Sequence, residues 1–276
     1  MNVEALPFTL LILLTELSVG SLILLVIWDA RSLLTPPFVK TTAGILLAFA
    51  ALPFLIAINT TAVDDLDGYP LDADLMPSVR IALGVFLALH VPFAVAALRE
   101  MKLPSIAFGA VASLAGIVSL VLLAQLVAPP TWGTAATIVS FALGAAVVGA
   151  VSLGMVLGHW YLVTPRLPDK PLTDMTFLGV AVIGLQAVLI VVNLLIPVRV
   201  EPTSSWSDIS LGANPVFWMR LGPGLIFSFV LVFMAWRSSR IHAMQSATGL
   251  LYLAMGAVLG GEAVGRGLMF VTAIPL

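Results

Sequence analysis

Gly256-Ala257-Val258-Leu259-Gly260-Gly261-Glu262-Ala263-Val264-Gly265-Arg266-Gly267 lies inside an otherwise apolar stretch running from about Gln245 to Ile274. An apolar run of that length is a transmembrane helix by the rule of about 20 residues per span. Glu262 and Arg266 stand four apart, so they share a helical face, with the acid on the N-terminal side, the better orientation for a pair. Gly256/Gly260 and Gly261/Gly265 are two small-x-x-x-small pairs, each a place where a second helix can approach closely. Ionisable side chains within a span are costly and mark a site or a route for ions. The reading is that the remaining helices assemble around this one and enclose a polar pocket.

The rest of the chain agrees with a membrane setting. Of 276 residues, 61% are hydrophobic and 9% charged, against about 25% charged in soluble domains. The fold class is therefore all-α: a polytopic membrane protein, an eight-helix bundle forming one integral membrane domain over residues 1–276. The spans fall at about 6–28, 39–60, 78–98, 103–128, 134–163, 173–198, 215–236 and 245–274. Pro36-Pro37, Pro77, Pro104, Pro129-Pro130, Pro165, Pro168, Pro171 and Pro215 punctuate the turns. No soluble domain fits between the spans. Met1 to Leu6 has no basic residue ahead of the first apolar run, so that run reads as a retained span rather than a cleaved signal.

Basic residues set the orientation. Arg31, Lys40, Arg99, Lys102, Arg166, Lys170, Arg237 and Arg240 gather in the odd-numbered loops, and Arg80 and Arg199 lie toward the other side. The positive-inside rule makes the odd loops cytoplasmic and places both termini outside. The loop 61–77 would then be external. It carries Asp64, Asp65, Asp67, Asp72 and Asp74 and reads as a solvated acidic loop or a docking face. No glutamate closes it in the manner of an EF-hand.

Four charged residues fall within spans: Glu16 in span one, Arg220 in span seven ahead of Gly222-Pro223-Gly224, and Glu262 and Arg266 in span eight. Their depths are similar, and they would line a site in the outer half of the bilayer, either a binding or proton-handling site or a set of ion pairs that fixes helix register. His90 and His159 lie toward the cytoplasmic side. They offer themselves as axial ligands of a haem b, as stations for protons, or as interhelical hydrogen-bond partners. His242 would meet lipid phosphates. Gln125, Gln186 and Asn193 read as interhelical hydrogen bonds, and Asn59, Thr60 and Thr61 as a cap of span two or a lining of the outer pocket. The net charge of −2 argues against a nucleic-acid partner. With no cysteine the chain cannot hold an iron–sulfur cluster by thiolates, and no catalytic or metal-ligating set stands out.

Glu262-x-x-Gly265-Arg266-Gly267 in the final helix resembles the C-terminal signature of the dimethyl sulfoxide reductase membrane anchor subunits, within the broader polysulfide-reductase anchor family. The eight-span layout, Trp218-Met219-Arg220 in span seven, and the Glu16-to-Gly20 pattern of span one are similar too. The resemblance implies a haem-free anchor in a bacterial or archaeal cytoplasmic membrane that binds quinone or quinol, menaquinone or ubiquinone. It would exchange electrons with an iron–sulfur subunit on the external face, which in turn serves a molybdenum-containing catalytic subunit. Family members often carry a histidine near the outer end of the second helix, where this chain has Ile58-Asn59-Thr60-Thr61; the Gly158–Tyr161 stretch is also foreign to the pattern. From the residues alone, a proton-coupled transporter or a haem-b electron carrier are the competing readings.

Overall fold

The computed structural model describes residues 4–128, 133–164, 167–195 and 211–276. Arg166, Arg199, Pro129, Pro130, Pro165 and the end of the expected sixth span lie outside the described residues.

Among the described residues, eight helical segments are long and apolar enough to cross a membrane. Span one is Leu6–Ala30, span two Pro36–Asn59, span three Met76–Leu98, and span four Lys102–Leu126. Span five is Thr134–Val163, span six Lys170–Leu195, span seven Pro215–Arg240, and span eight Met244–Thr272. Leu103, Ile81, Leu195 and Leu253 are among the many large apolar side chains left more than 60% exposed. Such a girdle has no place in water and fits a lipid surround. Even spacing of apolar residues around the helices, rather than a one-sided stripe, follows from the same solvent.

The eight spans close into two successive rings of four. Spans one to four pack one-two-three-four-one, and spans five to eight repeat the pattern. The rings meet chiefly along spans one and five, and the approach is close. A Cβ on Gly20 would strike the Ala145 carbonyl, and one on Gly149 would strike the Gly20 backbone. Both residues are therefore tied to glycine by the junction itself. Span one is the most buried span of the protein as a result, with Leu11, Ile12, Val19, Leu22 and Leu25 fully enclosed. The even number of spans brings both ends of the chain to one end of the molecule, where Phe8 and Phe270 lie 6.4 Å apart.

Span seven is not regular. Pro223 lacks an amide hydrogen and crowds the carbonyl a turn earlier, and the glycines beside it favour no particular helix. The chain answers with a π-helical stretch, Arg220–Phe227, in which bonds run i→i+5. The break brings backbone to backbone: a Cβ on Gly224 would lie 2.6 Å from the Gly261 Cα. Span eight thus uses Gly261 and Gly265 as the contact pair. Gly256 and Gly260 face open space, so the first of the two expected glycine pairs packs against nothing.

The acidic loop at the end shared by the termini holds a small hairpin, Asp65–Leu66 with Tyr69–Pro70. Its two central residues, Asp67 and Gly68, both have positive φ, the requirement of the tight turn that Asp-Gly favours. Tyr69 is buried. It donates to the Val127 carbonyl at 2.7 Å and packs edge-on against Phe270; burial pushes its phenol pKa up. All five aspartates of the loop remain exposed. Arg80 is spent locally: it donates to the carbonyls of Ala57 and Thr60 at 2.9 and 2.8 Å, capping the end of span two.

Candidate functional site: a buried ionic cluster in the second ring

All four charged residues expected within the spans meet. At 1.5 Å per residue, Glu16 lies about 15 Å along span one from Leu6. By the same rise Glu262 lies about 15 Å, and Arg266 about 9 Å, from the end of span eight at Thr272. The group therefore occupies the half of the helical bundle nearer Leu6 and Thr272, down to its middle.

Glu262 is the hub. Its Oε1 accepts from Arg220 Nη1 at 2.9 Å and from Gln186 Nε2 at 2.8 Å. Its Oε2 accepts from Arg266 Nη2 at 3.2 Å. Arg266 also donates to Ser140, Nη1 to the hydroxyl at 2.7 Å and Nη2 to the carbonyl at 3.0 Å. It pairs with Glu16 Oε1 at 2.7 Å, and its guanidinium lies 4.8 Å over the Phe141 ring, a cation–π contact strengthened by desolvation. Two arginines and two glutamates balance in formal charge, without which such burial would be prohibitive. None of the four is more than 2% exposed.

Small residues make the room. A Cβ on Gly144 would run into both Arg266 and Glu16, and one on Gly265 would meet Arg220 Nε and the Leu276 carbonyl. The C-terminal residues fold back over the cluster: Asn193 donates to the Pro275 carbonyl, and Leu276 is 2% exposed. The pocket expected from the sequence is thus a packed network whose members come from spans one, five, six, seven and eight. Gln186, read from sequence as one of several weak interhelical amides, belongs to it. Ser140 belongs to it too, and nothing in the sequence distinguishes it from the other hydroxyls of the spans.

The network is not saturated. Glu16 Oε2 and the Nε atoms of Arg220 and Arg266 are buried without a hydrogen-bond partner, while Glu16 Oε1 is held by Arg266. Buried polar atoms in this state are rare and call for an explanation. On the Glu16 side, though lined by none of the four charged residues, an apolar crevice of about 290 Å³ runs between the two rings, lined by Gly20, Ile117, Leu120, Ile138, Ala142 and Ala145. Gly20 is one helical turn from Glu16, and Ala145 follows the Gly144 that abuts it. A second cleft, of about 620 Å³, opens at the termini end between spans one and two, and Asn59, Thr60 and Thr61 line it beside Phe8 and Leu10.

The two candidate haem histidines do not come together. His90 sits in the first ring, edge-on to Phe86 and Phe93. His159 is at the far end of the second ring, its Nδ1 3.0 Å from the Tyr252 hydroxyl. His242 lies in the turn before span eight, 4.0 Å from Asp169. Among the described residues no three His, Asp or Glu side chains form a metal-binding group.

Compared with protein-family models, with curated proteins and with solved structures, the chain shows no match.

Proposed function

We propose that the protein is the quinone-binding membrane anchor of a respiratory oxidoreductase complex in a bacterial or archaeal cytoplasmic membrane. The observation that carries this reading is the set of incompletely bonded charged groups in the cluster, with an apolar crevice opening one helical turn from Glu16 along span one. A quinone presents two carbonyl acceptors, a quinol two hydroxyl donors, and both carry an apolar tail. The unpartnered Nε groups of Arg220 and Arg266 suit the first, Glu16 Oε2 suits the second, and the crevice suits the tail. Guanidinium groups held in place stabilise negative charge as it builds on a reduced quinone. A carboxylate at the same place takes the proton that leaves a quinol. Menaquinone and ubiquinone share this chemistry.

With no cysteine, electrons must pass to an iron–sulfur subunit in another chain. The end nearer the cluster is the short side for that transfer, and its exposed aspartates would face such a partner. A molybdenum-containing catalytic subunit would lie beyond it, as the family resemblance implies. The broken span seven favours a second reading, a proton-coupled transporter, since discontinuous helices line the sites of such proteins.

Gentle solubilisation and pull-down decides between them. The anchor reading expects a cysteine-rich iron–sulfur subunit to co-purify and quinol to drive turnover of the complex. A lone chain that moves solute in liposomes and recovers no such partner would refute it.

A further inference from the structure

The first ring contains a second group of unsatisfied polar side chains that the cluster does not use. His90 is fully buried, and beyond the Phe86 backbone its ring nitrogens meet no hydrogen-bond partner. The hydroxyls of Ser21, Thr42 and Ser105 are in the same condition, each residue 2% exposed. The four come from spans three, one, two and four, one from each helix of the ring.

Packing contacts give their levels. Gly116 abuts Val19 and Phe86, and Gly109 abuts Val26 and Phe93, so His90 lies between the levels of Val19 and Val26 on span one. Ser18 donates to the Phe49 carbonyl at 2.8 Å, which sets Thr42 about 10 Å farther from the termini end at 1.5 Å per residue. Ser105 lies beyond Gly109 at the start of span four. There it lines a cleft of about 100 Å³ with Asp29, Glu100 and Lys102. In order from that cleft the groups run Ser105, Thr42, His90, Ser21. Ser21 is about 8 Å along the axis from Glu16 by the helical rise. By the helical rise, no step between neighbours along the axis exceeds about 8 Å.

We infer that the first ring holds a file of bound water, anchored on His90, that carries protons between the Asp29–Lys102 cleft and Glu16. Orphaned polar atoms on four helices are what a water file satisfies; buried waters each take about three such partners. Imidazole suits the middle position because it can accept a proton on one nitrogen while releasing one from the other. Each transfer breaks one O–H or N–H bond and makes another, with no oxidant or co-reactant. The titratable groups along the route are Asp29, Glu100 and Lys102 at the mouth, His90 within, and Glu16 at the end; Lys40 stands 3.8 Å from Glu100. The inference rests on the quinone reading for its purpose: it connects proton exchange at the cluster to the membrane face opposite the termini.

Hydroxyl-radical footprinting in ¹⁸O-labelled water tests the file without any quinone. Radicals born from bound water label buried side chains next to it. Phe86 and Phe93 flank His90 and are at most 1% exposed; Phe270, 2% exposed, is the dry reference. We expect at least tenfold more label on Phe86 and Phe93 than on Phe270, falling to the reference level in His90→Leu and by at least half in Thr42→Val. Equal labelling of the three phenylalanines in the wild-type protein overturns the file, as does a haem Soret band that vanishes in His90→Leu. In the whole complex, His90→Leu should slow quinol-driven turnover at least tenfold and spare turnover from an artificial donor; unchanged quinol turnover overturns the proton role. Labelled Phe86 and Phe93 in a protein with no quinol turnover would instead remove the quinone reading and leave the water file standing.

Discussion

Arg266 Nη2 lies 2.7 Å from Glu16 Oε1, so the last span of the chain is tied by an ion pair to the first. The tie crosses between the two four-helix rings. Glu262 cannot do this, because its partners Arg220, Gln186 and Arg266 all belong to the second ring. The two glutamates therefore differ in kind. Glu262 holds the second ring together, and Glu16 brings the first ring to it through Oε1 while its Oε2 keeps no hydrogen-bond partner.

That difference predicts distinct phenotypes. Glu262→Gln leaves two buried arginines sharing one acid, and removing one member of a buried pair costs about 3–5 kcal/mol. The expected outcome is a strong loss of folded protein, read by size-exclusion chromatography in mild detergent. Glu16→Gln keeps Glu262 in place. It also unbalances the cluster but spares the hub that answers both arginines, so it should lose less folded protein than Glu262→Gln, and the assembled fraction should show quinol-driven turnover lower by at least tenfold, about 1.4 kcal/mol of barrier. Normal turnover in Glu16→Gln would remove Glu16 from the quinone site.

The glycines of span eight should separate cleanly. Gly261→Ala places a methyl group on the Gly224 backbone, and Gly224→Ala does the reverse; overpacking of this kind costs about 1–3 kcal/mol. Gly256→Ala and Gly260→Ala meet nothing and gain helix propensity of up to about 1 kcal/mol. Thermal unfolding in detergent should show the first two variants melting lower than wild type and the second two melting no lower. Equal behaviour of all four would mean that spans seven and eight do not meet at Gly224 and Gly261.

At the ring junction, Gly20→Ala drives a Cβ into the Ala145 carbonyl. Backbone cannot swing aside as a side chain can, so the two rings must separate locally. The variant should lose thermal stability, with a larger loss for Gly20→Val. Because the crevice beside Gly20 is the proposed seat of the quinone tail, quinol-driven turnover should fall further than stability alone explains. Wild-type melting in both variants would disprove the close junction.

Orientation has its own measurement. A reporter fused after Leu276 should report the external face, and one inserted near Leu167 the cytoplasmic face, by the bias of Arg31, Lys40, Arg99, Lys102, Lys170, Arg237 and Arg240 toward one end. The reverse result would put the cluster on the cytoplasmic side and exclude an external iron–sulfur partner.

Much of the fold could be read in one dimension. Apolar runs gave the number of spans and most of their limits to within a few residues, because a helix in lipid must satisfy its own backbone and therefore declares itself by length. Arg220 with Gly222-Pro223-Gly224 announced the break in span seven. Asp67-Gly68 is the one signal of the hairpin, and strands of two residues leave no alternating pattern beside it. Gln186 and Ser140 were not separable from the other polar side chains of the spans, since a single amide or hydroxyl in a helix looks the same whether it bonds within its own helix or to a charge on another.

The sequence by itself determined that the chain forms eight membrane-spanning helices, and that Glu16, Arg220, Glu262 and Arg266 had to be reconciled with lipid. Each follows from local chemistry: hydropathy over one helix length, and the cost of an ionised group away from water. Only the tertiary structure decided that the spans close as two rings, that Gly261 and Gly265 pack while Gly256 and Gly260 do not, and that Glu16 answers Arg266 whereas Glu262 answers both arginines. Those choices depend on which helix faces meet. In a span apolar on every side, the lipid solvates all faces alike, so the facing is set by close backbone approach and by the pairing of charges drawn from distant parts of the chain.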